Sequence, residues 1–135
     1  MNGKHMSVFD VAGRAMSAQL VRLNATASNL ANAGGIAGSK ATAFQSIRPV
    51  FKTVSDRDGV ATVTIDRVIA AGPQPSKRHE PEHPLADANG DVWQAGVDTA
   101  AEIVDMLEAA RQYQNNVQVL QTAKTLALDT LRLGQ

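Results

Sequence analysis

The chain contains no cysteine, so neither a disulfide nor a thiolate metal site can contribute to its stability. Aromatic residues are scarce, with one Trp, one Tyr and three Phe, which denies a core its largest apolar contributors. Neither sign of charge prevails: 13 basic and 13 acidic residues sum to zero. A basic surface for polyanions is therefore not indicated, and nucleic acid is not an expected partner. No apolar run approaches the roughly 18–20 residues that span a bilayer. The first residues also lack a basic segment followed by an apolar one, so a cleaved signal peptide is not expected.

What is present is helical periodicity at both ends. Phe9, Ala12, Met16, Leu20, Leu23, Ala27 and Leu30 recur three and four apart, as do Ile103, Leu107, Ala110, Val117, Leu120, Ala127 and Leu131. Ser7 followed by Asp10 fits a capping box, with Asp in the usual place of Glu or Gln. Gly34-Gly35 is the expected left-handed end of that helix. Asp98 is the expected cap of the second helix, which runs to about Leu133. Length allows one domain's worth of chain. Residues 1–6 read as a tag or an extended start, 7–33 as the first helix, 34–96 as a middle segment and 97–135 as the second helix.

The middle segment carries the turn and strand signals. Residues 34–42 read as a loop, and 44–54 and 60–71 as strands joined at Asp58-Gly59, a two-residue hairpin signal. Residues 72–84 hold all but one of the prolines and read as an extended connector. A short strand at 91–94 follows the turn at Asn89-Gly90. The fold class is therefore mainly α, with long N- and C-terminal helices packing as a coiled coil around a short central β-hairpin and extended segment. Alanine fills much of both stripes. A fully buried large apolar side chain returns about 1.5–3 kcal/mol, whereas ordering one backbone residue costs about 1–2 kcal/mol. Such a helix pair is marginal alone, and neighbouring copies are expected to complete its burial.

Chemistry-bearing motifs are few. His79-Glu80-Pro81-Glu82-His83 spells H-E-x-x-H, which in zinc hydrolases needs both histidines on one helical face. Pro81 inside it and Pro84 after it oppose a helix, so a proline-stiffened strap is expected in its place. Asp87-Ala88-Asn89-Gly90-Asp91 resembles a calcium loop only faintly, since the glycine is at the fourth position and no Glu stands at the twelfth. No phosphate-cradling glycine motif and no nucleophile elbow occurs. No cofactor, metal or catalytic residue is expected, and no enzymatic activity. The polar set Asn24, Ser28, Asn29 and Asn32 lies beside the apolar stripe. Its two readings are a solvated face, or amides bonded across subunit boundaries to fix register. Gln112, Gln114, Asn115 and Asn116 raise the same question on the second helix.

Ala27-Ser28-Asn29-Leu30-Ala31-Asn32-Ala33, followed by a glycine-containing turn, resembles the N-terminal signature of bacterial flagellar axial proteins of the rod and hook type. His83-Pro84-Leu85-Ala86-Asp87 with Gly90 and Val97 is similar to the proximal-rod branch of that family. So is Ala110-Arg111-Gln112-Tyr113-Gln114-Asn115-Asn116-Val117, with Thr122-Ala123-Lys124 and Thr130-Leu131-Arg132-Leu133. Gly35-Ile36-Ala37-Gly38 replaces the family's Pro-Gly-Tyr, Asp91 replaces an aromatic, and Ala95-Gly96 replaces Pro-Asn. The resemblance implies a structural subunit in the part of the rod that crosses the periplasm, exported without a cleaved signal by the flagellar type III apparatus. It further implies contacts with other copies of itself, with other proximal- and distal-rod proteins and with the adapter between the MS ring and the export gate. The expected assembly interface is Met16, Leu20, Leu23, Asn24, Ser28, Asn29, Leu30, Asn32, Ile103, Leu107, Tyr113, Asn116, Val117, Leu120 and Leu131. Alternatives are another axial paralogue, a helical adaptor, and a zinc-dependent hydrolase using His79, Glu80 and His83.

Overall fold

The structure is a computed structural model that describes residues 6–134; the first five residues of the tag or extended start expected at 1–6, His5 among them, lie outside the described residues. Its elements are α1 (Val8–Asn32), β1 (Ile36–Ala37), β2 (Ile47–Ser55), β3 (Ala61–Ala70), β4 (Ser76–His79), β5 (Asp91–Gln94) and α2 (Thr99–Leu133). Two long helices and a small antiparallel sheet region make up the fold.

Local chemistry sets where the helices begin. The Ser7 hydroxyl accepts the Asp10 N–H at 3.1 Å while the Ser7 N–H donates to the Asp10 carboxylate at 3.0 Å, so two orphan donors are satisfied reciprocally. Asp98 caps α2 by accepting the Ala101 N–H at 3.1 Å. The end of α1 differs from expectation. Neither Gly34 nor Gly35 adopts a positive φ. The helix closes through Ala33 in the right-handed region, and Gly35 N–H donates to the Asn32 carbonyl at 2.9 Å. A left-handed cap is unnecessary because the following residues enter a strand directly.

The middle segment forms two sheets. The β2–β3 hairpin is antiparallel from Ile47↔Ala70 to Ser55↔Ala61, with a bulge at Val50/Phe51. Its loop is longer than the two residues expected. Asp56 organises residues 56–60: its carboxylate accepts the Asp58 and Val60 N–H groups, both at 2.9 Å, and Gly59 supplies the positive φ of 78°. A second sheet, in the order β1-β5-β4, contains two strands that the sequence does not announce. β1 falls in the expected loop and β4 in the expected connector. Both pair through the backbone with β5, the strand that was expected.

Val92 of β5 is fully buried, and Gly96, just beyond the strand, closely meets the proline-containing segment 73–75 that leads into β4. A Cβ at Gly96 would stand 2.1 Å from the Pro73 carbonyl oxygen, so only glycine fits that crossing. The two sheets are tied at Ser46, also fully buried, whose N–H donates to the Gly96 carbonyl at 3.1 Å and whose carbonyl accepts from Ala71 at 2.7 Å.

The helices run antiparallel, with Asn29 against Glu102 and Arg22 against Asp105 and Glu108. The hairpin lies along α1 and is held at both ends. Asn29 grips Ile47 at the strand's start, and the Met6 N–H donates to Asp56 at 3.0 Å near the loop.

Candidate assembly interface

Ala12, Ala18 and Ala25 of α1 and Ala109 of α2 are the buried apolar residues of the helices, and Ala109 has no exposed surface at all. Ala12 lines a groove with Asn116 and Val119 of α2, whereas Ala18 lines one with Val63, Thr64 and Ile65 of β3 and Ala25 one with Ile47, Arg48 and Pro49 of β2. Phe9 and Leu20 remain nearly half exposed, as does Ile103, and Leu107 and Leu131 are more exposed still.

The fifteen residues expected at an assembly interface divide three ways. Leu20, Asn24, Ile103, Leu107 and Leu131 face solvent in the single chain. Met16, Leu23, Ser28, Leu30, Asn32, Tyr113, Asn116, Val117 and Leu120 are half-buried. Asn29 alone is fully buried, and its hydrogen bonds lie within its own chain. Asn32 turns back on its own helix, donating to the Ser28 carbonyl at 2.8 Å.

Asn29 is the centre of a junction that joins three elements. Its amide mimics a strand neighbour: Oδ1 accepts the Ile47 N–H at 2.8 Å and Nδ2 donates to the Ile47 carbonyl at 3.0 Å. Nδ2 also donates to Glu102 Oε2 at 3.0 Å, and Glu102 is 1% exposed. The other Glu102 oxygen pairs with Arg48 Nη2 of β2 at 3.1 Å. Arg48 also contacts Asp105, which in turn meets Arg22 at 3.2 Å. Burial pushes the Asp105 carboxyl up, but hydrogen bonds and charge from Arg48 and then Arg22 outweigh it, leaving the group below the usual carboxylate range. Because that pKa is depressed on folding, the stabilisation is present at neutral pH and lost as pH falls through the lowered value.

Sequence reasoning missed Arg22, Arg48, Glu102 and Asp105. The one available signal was Glu102, seven residues before the buried Ala109 and so on the same face of α2.

The H-E-x-x-H segment does not form a helix. His79 ends strand β4, where its Nδ1 lies 2.8 Å from Asp91 Oδ1; Lys77 holds the other Asp91 oxygen at 2.6 Å. Hydrogen bonds from Lys77 and then His79 hold the Asp91 carboxyl below its ordinary range. His83 stands in a separate turn, accepting the Leu85 N–H at 3.1 Å. Pro81 and Pro84 set this geometry by excluding helical hydrogen bonds. Among the described residues no group of three His, Asp or Glu stands where it would hold a metal ion. The Asp87 carboxylate is likewise engaged by the Asn89 and Asp91 N–H groups at 2.8 and 3.0 Å, which makes the segment a turn. Replacing His79 and His83 together by alanine should leave the helix content and the β4–β5 pairing intact, since each loses a single local contact. Circular dichroism and hydrogen exchange measure it, and loss of the fold from His79→Ala alone would contradict the strap reading.

A single chain with two paired terminal helices, a hairpin clamped along one of them and large apolar side chains left outside has the build of a structural subunit. The comparisons agree with that class. A family model described as "Flagella basal body rod protein" matches residues 9–35, and "Flagellar basal body rod FlgEFG protein C-terminal" matches residues 88–133. The chain is 42% identical over 132 residues to the flagellar basal-body rod protein FlgC of Salmonella typhimurium, covering 96% of this chain and 98% of that one. The FlgC of Yersinia enterocolitica is 42% identical over 133 residues, with 96% and 98% covered. That of Buchnera aphidicola subsp. Schizaphis graminum is 33% identical over 133 residues at the same coverage. The chain belongs to the FlgC family of flagellar basal-body rod proteins.

Proposed function

We infer that the chain is a structural subunit of the flagellar basal-body rod that adds to its proximal part through contacts between its terminal helices and those of neighbouring copies. What carries this reading is the end-to-end match to FlgC relatives, 96% of this chain against 98% of theirs. The exposed apolar residues support it, because Ile103, Val104, Leu107 and Leu131 have no covering partner among the described residues of a single chain. In the rod the helix pairs pack as an inner coiled-coil layer, with β1 to β5 outside it. The assembly contacts fall on Leu20, Ile103, Leu107 and Leu131, and on the half-buried flank of Met16, Leu23, Leu30, Tyr113, Asn116, Val117 and Leu120. Stiffness then comes from many small helix–helix contacts, and the structure transmits torque without any catalytic step.

Its partners in this role are other copies of itself, the other proximal- and distal-rod proteins, and the adapter between the MS ring and the export gate. The flagellar type III apparatus delivers it to a rod that crosses the periplasm. The absence of cysteine suits delivery as an extended chain into an oxidising space.

Assembly supplies the burial that a free subunit lacks. Of the buried apolar residues all but Val92 are alanines, so ordering of the helices is coupled to neighbours. The chain should copurify with basal bodies, and there residues 8–32 and 101–133 should be protected from hydrogen exchange. The free monomer should show little protection across the same spans. Strong protection of both spans in a verified monomer would favour a self-sufficient helical hairpin, and absence of the chain from basal bodies would remove the rod assignment.

A further inference from the structure

Asn89 is followed by Gly90, and the other asparagine followed by glycine, Asn2, lies outside the described residues. That dipeptide is chemically labile. Glycine has no Cβ to shield its nitrogen or to restrict its backbone, so the nitrogen reaches the side-chain carbonyl carbon of the preceding asparagine. A five-membered ring then closes. The bond from Gly90 N to Asn89 Cγ forms, the Cγ–Nδ2 bond breaks, and the Gly90 amide proton leaves with Nδ2 as ammonia. Water opens the ring at either carbonyl. One opening leaves aspartate, the other isoaspartate, whose main chain is longer by one carbon.

The Asn89 residue is exposed, but the fold withholds the attacking nitrogen. Gly90 N–H donates to the Asp87 carbonyl at 2.9 Å, and the Gly90 carbonyl accepts the Glu80 N–H at 2.9 Å. On either side, the Asn89 and Asp91 N–H groups donate to Asp87 Oδ1 at 2.8 and 3.0 Å. The peptide group that must swing over the asparagine side chain is therefore tied on both faces of the turn. Gly90 also sits at a φ of 79° against strand β4: a Cβ there would stand 3.0 Å from His79 Cε1 and 3.0 Å from Pro81 Cβ. An extra main-chain carbon at residue 89 would push Gly90 into those walls. Ring closure thus requires several hydrogen bonds of the turn to open together.

We propose that Asn89 is a self-modification site gated by folding: it converts to aspartate and isoaspartate while residues 87–91 are unfolded, and is held as asparagine once the turn closes on β4. The isoaspartyl product lengthens the turn that sets β5 against β4. A chain that has waited unfolded therefore carries a lasting mark against forming this sheet. The chemistry holds whether or not the chain builds a rod.

The test keeps wild-type chain at one pH and temperature in two forms, unfolded in guanidinium chloride and folded in purified basal bodies. The peptide spanning residue 89 is followed by the mass gain of exchanging an amide nitrogen for oxygen, with synthetic aspartyl and isoaspartyl peptides as standards. Asn2 is read from its own peptide. Conversion at Asn89 is expected to be at least about tenfold faster in the unfolded chain, because a reaction confined to an opened segment tracks the open fraction. Asn89→Gln should remove the gain, since its ring would need six members. Asp87→Ala, which takes the acceptor from two N–H groups of the turn, should raise the rate in basal bodies; should it fail to assemble, the wild-type comparison decides alone. Equal rates in the two forms overturn the proposal, as does absence of conversion in the unfolded chain. A gain that persists in Asn89→Gln, or a wild-type rate from assembled Asp87→Ala, overturns it as well. Wild-type chain missing from basal bodies would count against the rod reading instead, and the folded form is then the native purified chain.

Discussion

Asn29→Ala should abolish or nearly abolish swimming, because Asn29 is fully buried and its amide ties three elements of one chain together. The substitution strands the Ile47 N–H and carbonyl and takes one donor from Glu102, which has no route to solvent. Each stranded buried group costs about 1–3 kcal/mol, so the combined loss is on the order of 3 kcal/mol against a total stability of about 5–15 kcal/mol for a typical domain. The hairpin then loses its anchor at the strand's start, and α1 and α2 lose one of the polar contacts that fix their register, leaving those of Arg22 with Asp105 and Glu108. Ser17→Ala, at an exposed position on the same helix outside the expected interface, should swim normally. Soft-agar migration and basal-body yield distinguish the two. Wild-type migration from Asn29→Ala would mean that the junction does not hold the fold together.

Leu120→Arg should eliminate motility, and Leu23→Arg should do so as well. Both positions are half-buried in one chain, and in the rod reading a neighbour completes their enclosure. An unpaired guanidinium there costs several kcal/mol. Export should continue, because a chain passing through the apparatus has not yet made these contacts. Variant protein should therefore be recovered outside the cytoplasm while rods fail to extend. Normal swimming from either substitution would take the flank out of the interface.

Where each helix begins was legible in the sequence, because a cap is a local device: Ser7 with Asp10, and Asp98, act within one turn. β5 was legible for the same reason, being flanked by a turn that its own residues specify. β4 was not. Its Ser-Lys-Arg-His side chains are all exposed, so nothing in their pattern records that the backbone pairs with β5. Which helix residues become buried was only partly legible, because hydropathy weights large residues and the buried apolar positions of both helices are alanines. The junction was the least legible part. Arg48 and Glu102 lie 54 positions apart, and a charged residue in a strand and another in a helix signal nothing until the hairpin is laid on α1. The Asn-rich motif was noticed, but its chemistry was ambiguous between solvent, a neighbour and the chain's own interior; tertiary structure chose the interior for Asn29.

The hairpin's two fastenings place a dimensional rule on the family. From Ile47 to Asp56 a strand advances about 30 Å at roughly 3.3 Å per residue, and from Asn29 to Met6 a helix advances about 35 Å at 1.5 Å per residue. The two spans are commensurate, so the strand acts as a splint against the helix. Lengths on the two sides cannot drift separately while both fastenings hold: deleting two residues from the strand calls for about four from the helix, and lengthening beyond the Asp56 loop is unconstrained. Natural variation in hairpin length should accordingly collect at the loop and leave the splinted stretch constant.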